Sequence, residues 1–184
     1  MPLNFCSSLR WQSCLHNLDN IPDNLQAWLL DRGSLTARLK KTYRGEFEVK
    51  VLKHQWGQPA EAELEFLGVS ETEASIREVL LLGGGKPKIF ARSVIPRSSL
   101  GGSNNELLML GNKPLGEYLF VQKSVERGAI ELAELSAHEV NPYLGCCFRE
   151  EKAWARRSLF YLNSRPLSVC EVFLPEVGGK PSFP

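Results

Sequence analysis

The sequence predicts one α+β domain built on an antiparallel sheet. About six segments have strand character, several of them are joined by short turns, and the helical segments are concentrated in the first quarter and the middle of the chain. Strands that follow one another through tight turns pair antiparallel. The 184 residues are enough for one domain with its own core, so we expect a single domain over 1–184 with a loose, Gly- and Pro-rich tail at 176–184.

The first helical segment is predicted from about Asp23 to Asp31, and Gly33 ends it. Ser34 is a suitable N-cap for a second, more polar helix from Leu35 to Lys41. The first helix has an apolar stripe formed by Leu25, Trp28 and Leu29. This helical hairpin serves either as a structural cover over the sheet or as a lid.

The strand-like segments are short, apolar or alternating, and bounded by Gly, Pro and Asn. They are Phe47–His54, Ala62–Phe66, Ala74–Leu82, Lys88–Ile95, Ala129–Leu135, Trp154–Leu162 and Leu167–Leu174. Gly83-Gly84-Gly85 predicts a hairpin between the third and fourth of them, since it lacks the spacing of a phosphate loop. Pro114 begins a short helix whose free N–H groups near Leu115 either meet a ligand or belong to a plain connection.

Three charged residues lie on apolar faces of predicted strands. Arg77 shares a face with Val79 and Leu81, so it is either half of an internal ion pair or the receptor for an acidic ligand. Arg92 is a second cation of this kind, and Glu171 is a buried-looking carboxylate.

Composition narrows the classes of function. Twenty-two Lys and Arg against 21 Asp and Glu give a net charge of +1, which offers no electrostatic basis for binding nucleic acid or an anionic membrane surface. No apolar run is long enough to insert into a bilayer, and the N-terminus lacks a secretory signal. The five cysteines form no Cys-x-x-Cys pair and the three histidines lie far apart, which favours a cytoplasmic protein without a metal site.

A series of segments, in order along the chain, resembles the bacterial chorismate pyruvate-lyase family. The matching stretches are Leu25–Leu30, Gly33–Thr36, Ile76–Leu81, Ala91–Pro96, Lys113–Phe120, Trp154–Ser158 and Glu171–Pro175. The resemblance runs from about Trp11 to Pro175. It implies a six-stranded antiparallel sheet with helical flaps over an internal ligand site. It also implies cleavage of chorismate into 4-hydroxybenzoate and pyruvate for ubiquinone synthesis, with no cofactor.

The resemblance also assigns site residues. Arg77 matches the arginine that holds the ring carboxylate, and Leu115 the residue whose backbone assists it. Leu35 occupies a flap position where the family usually has methionine, and Glu171 matches the carboxylate that meets the ring hydroxyl. Segment 136–152, which contains Cys146 and Cys147, is longer than the family's usual segment.

The chemistry leaves alternatives open. A base removes the C4 hydrogen as the enolpyruvyl group leaves, or that hydrogen passes internally through a cyclic transition state while the enzyme holds the reactive conformer. Glu171 is either the base or only a hydroxyl acceptor. Arg92 is the candidate for the enolpyruvyl carboxylate or for charge on the leaving oxygen. We expect a monomeric enzyme, and the alternative function is a non-catalytic sensor of small aromatic acids with the same fold.

Overall fold

The computed structural model describes residues 9–13, 20–144, 148–149, 151–175 and 177. The predicted loose tail at 176–184, apart from Val177, and the pair Cys146 and Cys147 lie outside these residues. Among the described helices, none is long and apolar enough to cross a membrane.

One antiparallel sheet organises the chain, as predicted, but it has eight strands rather than six. Their order is β1-β6-β7-β8-β4-β3-β2, and β5 pairs with β7 beyond the end of β6. The strands are β1 Gln12–Ser13, β2 Phe47–Gly57, β3 Ala74–Gly83, β4 Lys86–Pro96, β5 Val125–Arg127, β6 Glu131–Ser136, β7 Lys152–Leu162 and β8 Arg165–Phe173. The two additional strands, β1 and β5, have two and three residues, too few to show a period-2 pattern.

The helices are short and lie between the strands. They are α1 Asp23–Leu29, α2 Leu35–Thr42, α3 Glu61–Leu67, α4 Leu115–Val121 and α5 Asn141–Leu144, with 3₁₀ turns at Arg97–Ser99, Gly102–Met109 and Ala137–Val140. The predicted hairpin of α1 and α2 is confirmed. Its N-cap is also confirmed, because the Ser34 hydroxyl accepts a hydrogen bond from the Ala37 N–H at 3.2 Å.

The prediction of a strand at Ala62–Phe66 is wrong, since this segment lies within α3. Glu63 caps the helix by accepting the Ala60 N–H at 2.9 Å through Oε2. Gly68 ends it in the left-handed conformation, at φ +68°. Glu, Ala and Leu favour a helix, and these two local signals outweigh the short apolar run.

The β3–β4 hairpin contains a change of register. Gly84 and Gly85 form its two-residue turn with φ of +60° and +70°, the signs required by a type I′ turn. Leu82 pairs with Pro87 but Leu81 pairs with Ile89, so one extra residue is inserted in β4. From this bulge onwards, β4 presents the opposite set of side chains to each face of the sheet.

Two groups of helices cover separate parts of one sheet face. Trp28, Leu29 and Leu39 of the α1–α2 hairpin belong to one hydrophobic cluster, which includes Val79 and Leu81 of β3. Helix α4 and the adjoining 3₁₀ turn form a second cluster with the ends of β4, β7 and β8. Between these two clusters lies a cavity.

Candidate active site

The cavity is enclosed by the sheet, by α2 and by α4. Its empty volume is about 580 Å³ with the mouth and its open solvent included. It is lined by Gly33, Leu35, Thr36, Arg77, Val79, Leu81, Ala91, Ser93, Pro114, Leu115, Gly116, Leu119, Phe120, Arg127, Arg156, Phe160, Val169 and Glu171.

The strand register builds the floor of the cavity. Val79, Ala91, Glu171 and Arg156 lie directly opposite one another on β3, β4, β8 and β7. The neighbouring row begins with Arg77, opposite Ser93. The small side chains on β4 leave space between the long charged side chains on the flanking strands.

Arg77 is buried at one side of this floor, with 2% of its surface exposed. Its Nη2 donates to the carbonyl oxygens of Gly111 at 2.9 Å and Lys113 at 3.0 Å. Nε has no hydrogen-bond partner, and Nη1 has none among the described residues. Burial lowers the pKa of Arg77 from its ordinary value. Two guanidinium nitrogens therefore make no hydrogen bond within the described residues.

Glu171 forms its ion pair with Arg156 and makes none with Arg77. The Nε of Arg156 lies 2.5 Å from Glu171 Oε2, and the Arg156 side chain is 1% exposed. Nη1 of Arg156 donates to three carbonyl oxygens at and just beyond the end of α1, those of Trp28, Leu29 and Asp31, at 2.9, 3.3 and 2.8 Å. Glu171 Oε1 has no partner among the described residues, so it can accept a further hydrogen bond.

Leu35 and Leu115 are the first residues of α2 and α4, and both are buried against the cavity. The two helix starts lie against each other, because a Cβ on Gly116 would lie 3.4 Å from Thr36 Oγ1. The structure therefore brings together four of the five predicted site residues: Leu35, Arg77, Leu115 and Glu171.

Arg92 is the exception, and its assignment to the substrate is corrected. Its side chain points to the other face of the sheet and does not line the cavity. There it binds Glu63 through two hydrogen bonds of 2.7 and 2.9 Å and also pairs with Glu78. A cation held between two carboxylates has its charge compensated within the protein.

Sequence reasoning missed two cavity arginines, Arg127 and Arg156. Arg156 had a detectable signal, since period-2 alternation in a predicted strand places it on the same face as Trp154 and Phe160. Arg127 had none, because its strand of three residues is too short for a pattern.

Comparison with known proteins adds a family and a fold. A family model described as chorismate lyase matches residues 5–180. A protein of Thiobacillus denitrificans named a probable chorismate pyruvate-lyase is 43% identical over 161 residues, 84% of each chain. The chorismate pyruvate-lyase of Pectobacterium carotovorum is 35% identical over 157 residues, which cover 85% of this chain and 80% of that protein.

Solved structures with a similar fold include two from GntR-family transcriptional regulators. The ligand-binding domain of a regulator from Bordetella bronchiseptica aligns with a TM-score of 0.55 and 18% identity, covering 72% of this chain and 87% of that one. A regulator from Bacillus cereus aligns with a TM-score of 0.54 and 16% identity, covering 72% and 94%. At these identities, the likeness concerns the fold alone.

Proposed function

The chain belongs to the chorismate lyase family, and we propose that it is a chorismate pyruvate-lyase, which converts chorismate into 4-hydroxybenzoate and pyruvate. The observation that carries the proposal is the pair of unsatisfied groups in one cavity. Arg77 has free donors and Glu171 has a free acceptor oxygen, on strands separated only by β4. A ring with a carboxylate at C1 and a hydroxyl at C4 is complementary to this arrangement.

In the proposed complex, Arg77 binds the ring carboxylate through Nε and Nη1, assisted by the backbone N–H of Leu115. Charge-assisted hydrogen bonds of this kind are the stronger ones. Glu171 Oε1 accepts the ring hydroxyl, while Arg156 fixes the other carboxylate oxygen. Leu35 packs against the ring from the side of α2.

The reaction breaks the bond between C3 and the enolpyruvyl oxygen and removes the hydrogen from C4, so the ring becomes aromatic. Internal transfer of that hydrogen to the enolpyruvyl methylene yields pyruvate directly. The protein then contributes mainly by holding the reactive conformer. In the other route Glu171 takes the hydrogen as a proton, and its position opposite C4 serves either route.

The experiment is incubation with chorismate in the presence of a chelator and without added cofactor, followed by assay of pyruvate and 4-hydroxybenzoate. We expect both products in equal amounts, from a monomeric, cytoplasmic enzyme that needs no cofactor. Arg77→Ala is the inactive comparison, and its folding is checked by circular dichroism. Tight binding of chorismate without turnover by the parent protein would favour the sensor alternative instead.

A further inference from the structure

The charges around the cavity do not balance. Arg77, Arg127 and Arg156 line it, and Glu171 is the one carboxylate among its described lining residues. Glu171 compensates Arg156, to which it is bound. Two positive charges remain, and buried charges without compensation are costly to a protein.

Arg127 is one of these two, and its contacts within the protein are neutral. Its Nε donates to Ser158 Oγ and its Nη1 to the Asp31 carbonyl oxygen, each at 3.2 Å. Its guanidinium lies 5.1 Å from the centre of the Phe160 ring. Among the described residues, no carboxylate oxygen lies within 4.0 Å of its nitrogens. These contacts fix the position of the guanidinium without compensating its charge.

Arg127 and Arg77 approach the cavity from opposite sides. Arg77 is on β3 and Arg127 on β5, with β4, β8 and β7 between them. At a spacing of ~4.8 Å, the four steps separate their backbones by about 19 Å. If both guanidinium groups bound the same carboxylate, no group of the ligand would contact the protein on the opposite side of the cavity.

We propose that Arg127 binds the second carboxylate of the substrate, the one on the enolpyruvyl group, and thereby makes the site selective for dianions. The inference rests on the proposed function, because that function supplies a ligand with two carboxylates. It gives Arg127 the contact that the sequence assigned to Arg92. This contact also distinguishes the substrate from the product. 4-Hydroxybenzoate has only one carboxylate, so it leaves the positive charge of Arg127 uncompensated.

The test compares two ligands that differ by one charge. One is 3-(carboxymethoxy)-4-hydroxybenzoate, which has both carboxylates and the hydroxyl, and the other is its methyl ester at the side-chain carboxylate. The parent protein is expected to bind the diacid roughly 30-fold or more tightly than the ester, the usual effect of a buried charged contact. In Arg127→Met this preference should disappear, while the affinity for 4-hydroxybenzoate stays close to that of the parent.

Two further variants complete the test. Arg127→Lys, which keeps the charge, should retain part of the preference for the diacid. Arg32→Met is the matched control, because Arg32 holds the same segment through the carbonyl oxygens of Arg127 and Gly128 and does not line the cavity. It should leave the preference unchanged.

Three results would overturn the inference. They are an equal affinity of the parent for diacid and ester, an undiminished preference in Arg127→Met, or an equal loss of diacid and 4-hydroxybenzoate binding in that variant. If Arg127→Met does not fold, the parent comparison and Arg127→Lys decide the matter. A parent that prefers the diacid but releases no pyruvate from chorismate refutes the proposed function, while the selectivity of Arg127 for dianions stands.

Discussion

The two faces of the β3–β4 hairpin hold arginines in opposite electrostatic situations. On one face, Arg92 lies between Glu63 and Glu78, whose side chains are 7% and 9% exposed. On the other face, Arg77 lies among carbonyl oxygens with two of its nitrogens unbound. Both arginines lie in apolar strands and look alike in the sequence. Only Arg92 has its charge compensated by the protein.

The difference teaches how to distinguish a structural cation from a receptor. A buried guanidinium with carboxylate partners stabilises the fold, provided that both members of the pair are present. A buried guanidinium with neutral partners leaves charge and donors for a ligand. By this criterion we expect Arg92 and Arg156 to be structural and Arg77 and Arg127 to be receptors.

The largest expected effect is on stability, at Arg92. Arg92→Ala leaves two buried carboxylates without their cation, and breaking a buried pair typically costs about 3–5 kcal/mol. Chemical denaturation should show this loss in the free energy of unfolding. Affinity for 4-hydroxybenzoate, measured under conditions where the variant is folded, should remain that of the parent. Loss of binding with unchanged stability would reverse the assignment of the two faces.

The next effect is on binding, at Arg77. Arg77→Ala should weaken the binding of chorismate and of 4-hydroxybenzoate by about 2–5 kcal/mol, since both ligands carry the ring carboxylate. Calorimetric titration of the product measures this directly. Arg92→Ala is its matched control on the other side of the same hairpin. Product binding as tight as in the parent would make Arg77 a structural residue.

One inserted residue explains why the sequence did not separate these two arginines. Continuing the pairing of Gly83 with Lys86 and of Leu82 with Pro87 without interruption places Arg77 opposite Arg92, on the same face. The bulge after Pro87 instead pairs Arg77 with Ser93 and Arg92 with Glu78. Proline has no N–H for the ladder, which favours such an irregularity, but its position cannot be read from alternation within one strand.

Other features were accessible from the sequence because they are local. The cap at Ser34, the glycine turn and the burial of Arg77 follow from residue type and period. The partner of Glu171 was not accessible in this way, because Arg156 meets it through pairing between β7 and β8. A resemblance to a family supplies such long-range contacts only for the residues to which it assigns a role.

A smaller effect is expected from pH at Arg127. Burial, and then the nearby Arg156, lower the pKa of Arg127 to about 10, and Arg32 acts in the same direction, against Glu171 and Asp31. A bound second carboxylate favours the charged form and raises this pKa again. The preference for the diacid is therefore complete below pH 10 and falls as the pH rises through 10, by at most about tenfold per pH unit.

The measurement is the ratio of the dissociation constants of a ligand with an uncharged side chain and the diacid between pH ~8 and ~11. The uncharged side chain is here the primary amide at the side-chain carboxylate, because the methyl ester is hydrolysed to the diacid in alkali. The ratio cancels the titration of the phenol that both ligands share. Circular dichroism at each pH verifies folding. A ratio that does not change across this range would contradict a second carboxylate on Arg127.

The smallest effect concerns the cover over the cavity, whose two helices are held differently. The end of α1 is fixed by the buried Arg156, which donates to the carbonyl oxygens of Trp28 and Leu29 and to that of Asp31 just beyond the helix. Helix α2 is held to α4 by Lys40 and Glu117, 2.7 Å apart, with side chains 47% and 52% exposed. We therefore expect α2 to separate from α4 when product leaves.

Exposed ion pairs contribute roughly 0.2–1 kcal/mol, so Lys40→Met or Glu117→Gln should accelerate dissociation of 4-hydroxybenzoate at most about fivefold. Stopped-flow displacement gives this rate, and high salt should accelerate the parent in the same way, because salt screens exposed charges. The charge swap Lys40→Glu with Glu117→Lys should restore slow release. Glu73→Gln breaks another exposed pair, with Arg97, which is not among the residues that line the cavity, and it should leave the rate unchanged. If Glu73→Gln accelerates release as much as Glu117→Gln does, the effect reflects general loosening of the surface and α2 is not the gate.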